Sequence, residues 1–422
     1  MKILWLSAGL LLPLDKGGKL RTWHLMRQLA RRHEITVLSY VDPETPREHL
    51  AGMSEVCRTL VTVGREDVPK GSARFVLDAA AHLVRRLPYA IGKYRSAEYR
   101  RRLEHLLATG TFDLVVCDFL MPAANVPPRL PCPAVLFTHN VEAEIWRRHA
   151  ETARSPVRRA LLTTQWQRML RFEREAVQRF DLVLAVSETD RRTLVRLYSP
   201  LRQPVWVVPT GVDAGYFVGV TRPVRPRHLV FTGSMDWLPN EDGMLYFVRD
   251  VLPLIRREEP SATLSIVGRS PTPAVARLGT EYGVEVTGRV DDVRPYMAAA
   301  AIYVVPLRIG GGTRLKIFEA MAMGKPVVST GVGAEGLPVE PGTHVLLADS
   351  ADDFAAAVVG LFRDEEARTR LGEAGRRLVT QRYDWSSVFG HLEQALEAAA
   401  GRARQGGVTP RSLPQLELQT RN

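Results

Sequence analysis

The sequence predicts an α/β chain of two parallel-sheet domains, on three observations. Short β-rich runs alternate with amphipathic helical stretches, and the same rhythm returns after a proline-rich junction. The chain has 422 residues, more than one hydrophobic core usually organises.

In the first half KILWLSA, EITVLSYV, DLVVCDF, AVLFTHN and DLVLAVS read as strands, with HLMRQLARR as a helix between the first two. Residues 3–14, ILWLSAGLLLPL, follow Lys2 but have no A-x-A site after them, so they read as a buried first strand and loop. Ser187 with Asp190 resembles a capping box and starts a helix at Glu188. The segment QPVWVVPTGVDAGYFVGVTRPVRPR has little helical periodicity and suits a hinge. Beyond it HLVFTG, ATLSIVG, VEVTG, AIYVVP, PVVST and HVLLA repeat the strand pattern, the first three ending in glycine. This gives an N-terminal domain over 1–208, a junction over 209–227, a second domain over 228–382, a helix over 383–400 and a disordered tail over 401–422.

Composition excludes several classes. No apolar run reaches the ~18 to 20 residues of a membrane-spanning helix. Cys57, Cys117 and Cys132 are odd in number and lack metal-like spacing, so a reducing, cytoplasmic setting is expected, with no metal site. The net charge of +11 is uneven: residues 1–210 carry 33 Lys and Arg against 21 Asp and Glu, and residues 211–422 carry 24 against 25. Basic pairs such as Arg147/Arg148, Arg158/Arg159 and Arg191/Arg192 recur on helical stretches of the first half. They form either a peripheral face for anionic lipid or a phosphate-bearing acceptor, or ordinary solvated helix faces. Scattered over many helices without a recognition motif, they give no support for nucleic acid as a partner.

Residues 306–324, PLRIGGGTRLKIFEAMAMG, carry the strongest chemical signal. Gly310, Gly311 and Gly312 allow close backbone approach to a ligand, and Thr313 leads into a helix whose unpaired N–H groups and positive dipole end suit an anion. Arg314 and Lys316 stand in the first turn, where the dipole disfavours cations unless an anion is near. Glu319, among Ile317, Phe318, Ala320 and Met321, needs donors such as vicinal sugar hydroxyls. The plain alternative is a Gly-rich turn before a core helix, with Lys316 and Glu319 as an exposed pair. If the sheets face one another, the carboxyl ends of their strands bring this unit together with Gly17 and Gly18, and with Thr138, His139 and Asn140. His139 could equally be a loop histidine beside an Asn140 N-cap.

Together these features resemble the retaining nucleotide-sugar glycosyltransferases of family 4, which have the two-domain GT-B fold. The resemblance spans roughly residues 1–395 and is most specific over 301–337, AIYVVPLRIGGGTRLKIFEAMAMGKPVVSTGVGAEGL; LPLDKGGKLRTWHLMRQLARRHEITVLS and VVPTGVDAGYF support it. DKGGKLR and THNVEAE also resemble sugar transferases of bacterial exopolysaccharide systems. The fold then implies a C-terminal helix packing back on the N-terminal domain. The implied donor site has Glu319 on the nucleotide ribose, Val290 meeting the base through its backbone, His139 beside the sugar and phosphate, and glycines 17, 18, 233 and 310–312 in the loops. The implied reaction is transfer from a nucleoside diphosphate sugar to a lipid-linked or saccharide acceptor, with retention, at the inner face of the cell membrane and without a metal or other cofactor. Two positions depart from the family. Its first glutamate falls at Gly311, and its diphosphate-binding Arg and Lys fall at Ser234 and Pro239. Arg314 and Lys316, with Arg269 as a third contributor, are the expected replacements for that clamp. A sugar-nucleotide epimerase and a catalytically silent nucleotide-sugar-binding partner remain open alternatives. No G-x-G-x-x-G follows the first strand, which disfavours a dinucleotide oxidoreductase.

Overall fold

The computed structural model describes residues 1–15, 17–66, 86–153, 155–218, 220, 222–309 and 315–404, with backbone alone over 402–404. The first sheet contains β1 (Lys2–Ser7), β2 (Glu34–Val41), β3 (Thr59–Gly64), β4 (Leu114–Asp118), β5 (Ala134–Phe137), β6 (Leu182–Ala185) and β7 (Val205–Val207) in the order β3-β2-β1-β4-β5-β6-β7. The second contains β8 (Arg225–Thr232), β9 (Thr263–Val267), β10 (Glu285–Gly288), β11 (Ala300–Val305), β12 (Val327–Ser329) and β13 (Leu346–Leu347) in the order β10-β9-β8-β11-β12-β13. Every neighbouring pair is parallel. The central strands are apolar on both faces because helices cover each side, as β4, β5, β6 and β11 show by being buried throughout.

The helices of the two domains include α1 (Gly17–Leu29), α2 (Glu142–Glu151), α3 (Pro156–Arg179), α4 (Glu188–Tyr198), α5 (Leu238–Tyr246), α6 (Leu315–Ala322) and α7 (Trp385–Arg404). Ser187 caps α4 as its sequence predicts, its hydroxyl accepting from the Asp190 N–H. Asn140 does not cap α2: the N-cap residue is Val141, without a side-chain bond. The cap comes from α3 instead, where the fully buried Glu173 accepts from the N–H groups of Glu142 and Ala143, each at 2.9 Å, and from the Tyr198 hydroxyl at 2.6 Å. Burial pushes Glu173 and its neighbour Glu142 upward from the ordinary carboxylate range, the two acids raising Glu142 further by repulsion. Glu173→Ala would leave three donors without their acceptor, a loss of about 3 kcal/mol. The expected result is a fall of several degrees in the melting temperature, measured by calorimetry, and an unchanged midpoint would remove the long-range cap.

α7 returns to the first domain. Its Trp385, Val388, Phe389, Leu392, Ala395, Leu396 and Ala399 join the core formed by β1, α1 and β5, and Trp385 stacks on His24 of α1 at 5.1 Å. The junction and the start of α7 cross side by side, with Val212 donating to the Tyr383 carbonyl and accepting from the Trp385 N–H. The second sheet already begins at Arg225 within the proline-rich segment, and a short helix, Ala214–Val218, occupies the middle of that junction. Residues 405–422 of the expected tail lie outside the described residues.

Candidate active site

The two sheets bound a cleft of about 2790 Å³ lined from both domains. On the N-terminal side its wall includes Asn140, Glu142, Trp146, Arg148, Arg158 and Asp190; on the other it includes Trp237, Leu238, Pro239, Ile309, Phe318 and Glu335. Bidentate bonds from Arg148 to Glu335, at 2.9 and 3.1 Å, span it.

His139 is only 5% exposed and lies next in the chain to the cleft-lining Asn140. Asp118 ends β4 and Phe137 ends β5, and the two are register partners, so Asp118 and His139 emerge side by side. The His139 Nε2 bonds Asp118 Oδ1 at 2.7 Å, while Thr22 of α1 donates to Asp118 Oδ2 at 2.9 Å. A carboxylate only accepts, so Nε2 carries a proton, and in the neutral ring Nδ1 keeps its lone pair. Burial lowers the His139 pKa, against the pull of Asp118, and Arg21 lowers it further. Phe119 stacks on His139 with 3.7 Å between ring centroids. It holds φ 66, a left-handed conformation disfavoured for a bulky residue. A Cβ at Gly18 would lie 2.5 Å from Cζ at the tip of the Phe119 ring, so glycine there makes room for that ring at the start of α1.

Arg21, one turn into α1, is 1% exposed, lies 4.5 Å over the Phe137 ring and donates through Nη2 to the Val208 carbonyl at the junction. Burial lowers its pKa to about 9, with Asp118 and Asp190 opposing the shift. The sequence motif contained Arg21, but only the fold connects it to the junction.

The second domain contributes the loop between β8 and α5. Gly233 packs so closely that a Cβ would meet Asn240 Nδ2 at 2.6 Å and Lys316 Nζ at 2.9 Å; a Cβ at Gly268 would collide with the Gly233 carbonyl. Lys316 extends from α6 to this loop and donates to Asn240 Oδ1 at 2.8 Å, its ammonium 4.1 Å over the Phe231 ring. Asn240 is 3% exposed and donates in turn to the Ser234 carbonyl. Arg269, just past β9, donates to Ser234 Oγ at 3.0 Å and reaches the other domain, with Nη1 3.7 Å from Asp15 Oδ2. Two cations from separate elements therefore meet the two ends of the loop at Ser234 and beside Pro239. A place in the first turn of a helix leaves Lys316 in need of an anion; its contacts with Asn240 and Phe231 supply part of the reason for its position.

Glu319 lies on α6, half-buried, and among the described residues its carboxylate has no hydrogen-bond or ion-pair partner. Burial pushes it up to about 7 and Lys316 pulls it down. It is not the exposed partner of Lys316 that the plain reading offered. Nearby Tyr303, fully buried, bonds Thr232 at the end of β8, and burial together with Glu319 raises its pKa. Val290 follows β10, half-buried against the second core. Gly310, Gly311, Gly312, Thr313 and Arg314 lie outside the described residues. Gly17 opens α1.

Two family models match the chain: residues 16–216 fit Glycosyltransferase Family 4, and residues 226–364 fit Glycosyl transferases group 1. The chain is a family 4 glycosyltransferase. It is 26% identical over 387 residues to phosphatidyl-myo-inositol mannosyltransferase of Mycobacterium tuberculosis, covering 87% of this chain and 96% of that one. It is 27% identical over 267 residues to MMP alpha-(1->4)-mannosyltransferase of Mycolicibacterium hassiacum, covering 60% and 63%. Among solved structures, sucrose-phosphate synthase from Thermosynechococcus elongatus superposes with a TM-score of 0.68 at 19% identity, covering 94% of this chain and all (100%) of that chain. HepE of Anabaena in complex with UDP and glucose gives 0.64 at 16% identity with the same coverage, 94% and 100%. The two-sheet architecture is thus the GT-B fold of a glycosyltransferase.

Proposed function

We propose that this glycosyltransferase moves a hexose from a nucleoside diphosphate donor to a lipid-linked or saccharide acceptor with retention, in the synthesis of a cell-surface or exopolysaccharide product. The observation that carries the reading is the convergence of Arg269 and Lys316 on the loop containing Ser234 and Pro239, the positions at which the family usually has its diphosphate-binding cations. Arg314 completes the clamp in this proposal, and the Gly310–Gly312 backbone takes the place of the acid replaced by Gly311. Glu319 accepts from the ribose hydroxyls, Val290 meets the base, and His139 stands by the donor sugar and phosphate.

In the proposed reaction the bond between the anomeric carbon and the phosphate oxygen breaks as an acceptor oxygen bonds the same face. The acceptor proton passes to the departing phosphate, so no protein nucleophile or metal is assigned a step. The cations stabilise the charge that develops on the diphosphate, where preorganised electrostatics act most strongly. A nucleotide sugar from HepE-type complexes is a natural first ligand, since that protein binds UDP and glucose.

The basic N-terminal half supports an anionic acceptor or peripheral contact with an anionic inner membrane face. Among the described residues, no helix is long and apolar enough to cross a membrane. Several of its arginines are neutralised locally, Arg147 by Glu144 and Glu151, and Arg191 and Arg192 by Glu188, which narrows the basic surface available. Proton NMR of the anomeric region during turnover of an α-linked donor tests the stereochemistry: the first product signal is expected to be α, and a β product would overturn retention.

A further inference from the structure

Of the seven tryptophans, Trp237 alone is exposed, at 42%, and the next residue, Leu238, is 60% exposed. Both line the cleft between the domains. An indole left in water forgoes the large stabilisation that burial gives aromatic surface, so its position invites a ligand more than an exposed small residue would. The turn that presents it is fixed. The Trp237 carbonyl accepts from the N–H groups of Asn240 at 2.9 Å and Glu241 at 3.1 Å as α5 begins, and Met235 bonds the Arg269 carbonyl at 2.9 Å. Asn240 and Ser234, on either side, are held by Lys316 and Arg269. The apolar strip of Trp237, Leu238 and Pro239 therefore belongs to the segment that both proposed diphosphate contacts, Lys316 and Arg269, hold through Asn240 and Ser234.

A pyranose ring matches this surface. Its rim bears hydroxyls, while its faces present C–H bonds polarised by neighbouring oxygens, and these meet the electron-rich face of an indole as both surfaces shed water. A sugar joined to a diphosphate held by Lys316 and Arg269 is tethered within the reach of this loop, and an acceptor saccharide in the cleft would meet the same face. We propose that Trp237 is a stacking platform for a pyranose ring, either the donor hexose or a saccharide acceptor. The inference rests on the glycosyltransferase reading.

The test compares wild type with Trp237→Ala and Trp237→Phe. Calorimetry measures binding of UDP, GDP, UDP-glucose and GDP-mannose, and transfer is assayed with octyl glucoside and octyl mannoside. Stacking on the donor predicts that Trp237→Ala keeps the affinity for UDP and GDP but weakens the nucleotide sugar about three- to tenfold, with Trp237→Phe retaining most of it. Stacking on the acceptor predicts unchanged binding of all four nucleotides and a similar rise in KM for the glycoside. Unchanged nucleotide-sugar affinity together with unchanged glycoside KM would overturn the platform, as would a wild type that gains nothing from the sugar in either assay. A wild type that binds no nucleotide at all would instead overturn the parent function, and the platform with it. Because the side chain is exposed, an unaltered melting temperature is the folding control.

Discussion

Replacing Arg314 and Lys316 together by alanine is expected to lower turnover with a diphosphate donor by roughly 10² to 10³, because charge stabilisation of a leaving group is commonly worth that much per preorganised contact. Lys316 also has a structural task, since it donates to Asn240 at 2.8 Å and packs over Phe231. Asn240→Ala separates the two roles: it removes the anchor and retains the charge. The clamp reading predicts a small loss in that variant and a large one in the double variant, with stopped-flow detection of released nucleoside diphosphate as the measurement. Equal losses would make Lys316 a scaffold for the loop, and near-normal turnover of the double variant would sink the clamp.

Glu319→Ala is expected to weaken nucleotide-sugar binding about 10- to 100-fold, the range for one to two hydrogen bonds to a charged acceptor. The direction with pH follows from its raised pKa. With a value of about 7 in the free protein, the carboxylate that accepts from ribose hydroxyls is mostly protonated at pH 6 and mostly ionised at pH 8. Donor affinity should therefore rise by up to about tenfold over that range, provided the bound form stays ionised. Glu319→Gln should bind weakly with this dependence removed. The same residue carries a stability cost. Its folded-state value lies above the ordinary 4.5, so the unfolded chain releases the proton first and stability falls as pH rises from 4.5 to about 7. Glu319→Gln should consequently melt higher than wild type at pH 8 while binding donor worse. A variant that loses both stability and affinity would point to a packing role instead.

Much of this arrangement was legible in the residue order. Strand runs such as DLVVCDF and AIYVVP lie in central parallel strands because their apolar residues suit burial on both faces, and Ser187 caps its helix through a bond between near neighbours. The contacts that organise the site are of another kind. Glu173 caps a helix beginning 31 residues earlier in the chain, and Asp118 reaches His139 only because their strands are adjacent. Local periodicity carries no record of such pairings. The Asp118 contact could still have been anticipated, since DLVVCDF and AVLFTHN are consecutive strands of one sheet and each has polar residues near its carboxyl end, Asp118 in one and Thr138, His139 and Asn140 in the other. The approach of Lys316 to Asn240, 76 positions away, had no comparable signal beyond the family pattern that leaves Ser234 and Pro239 without charge.

The most direct test of glycosyl transfer by this site is release of nucleoside diphosphate from UDP-, GDP- and TDP-linked hexoses, with and without lipid-linked and saccharide acceptors. A transferase releases diphosphate from at least one donor, faster with an acceptor and suppressed in the Arg314 and Lys316 double variant. Tight binding of a nucleotide sugar with no diphosphate released under any of these conditions would contradict it and identify the chain as a silent sugar-nucleotide binder.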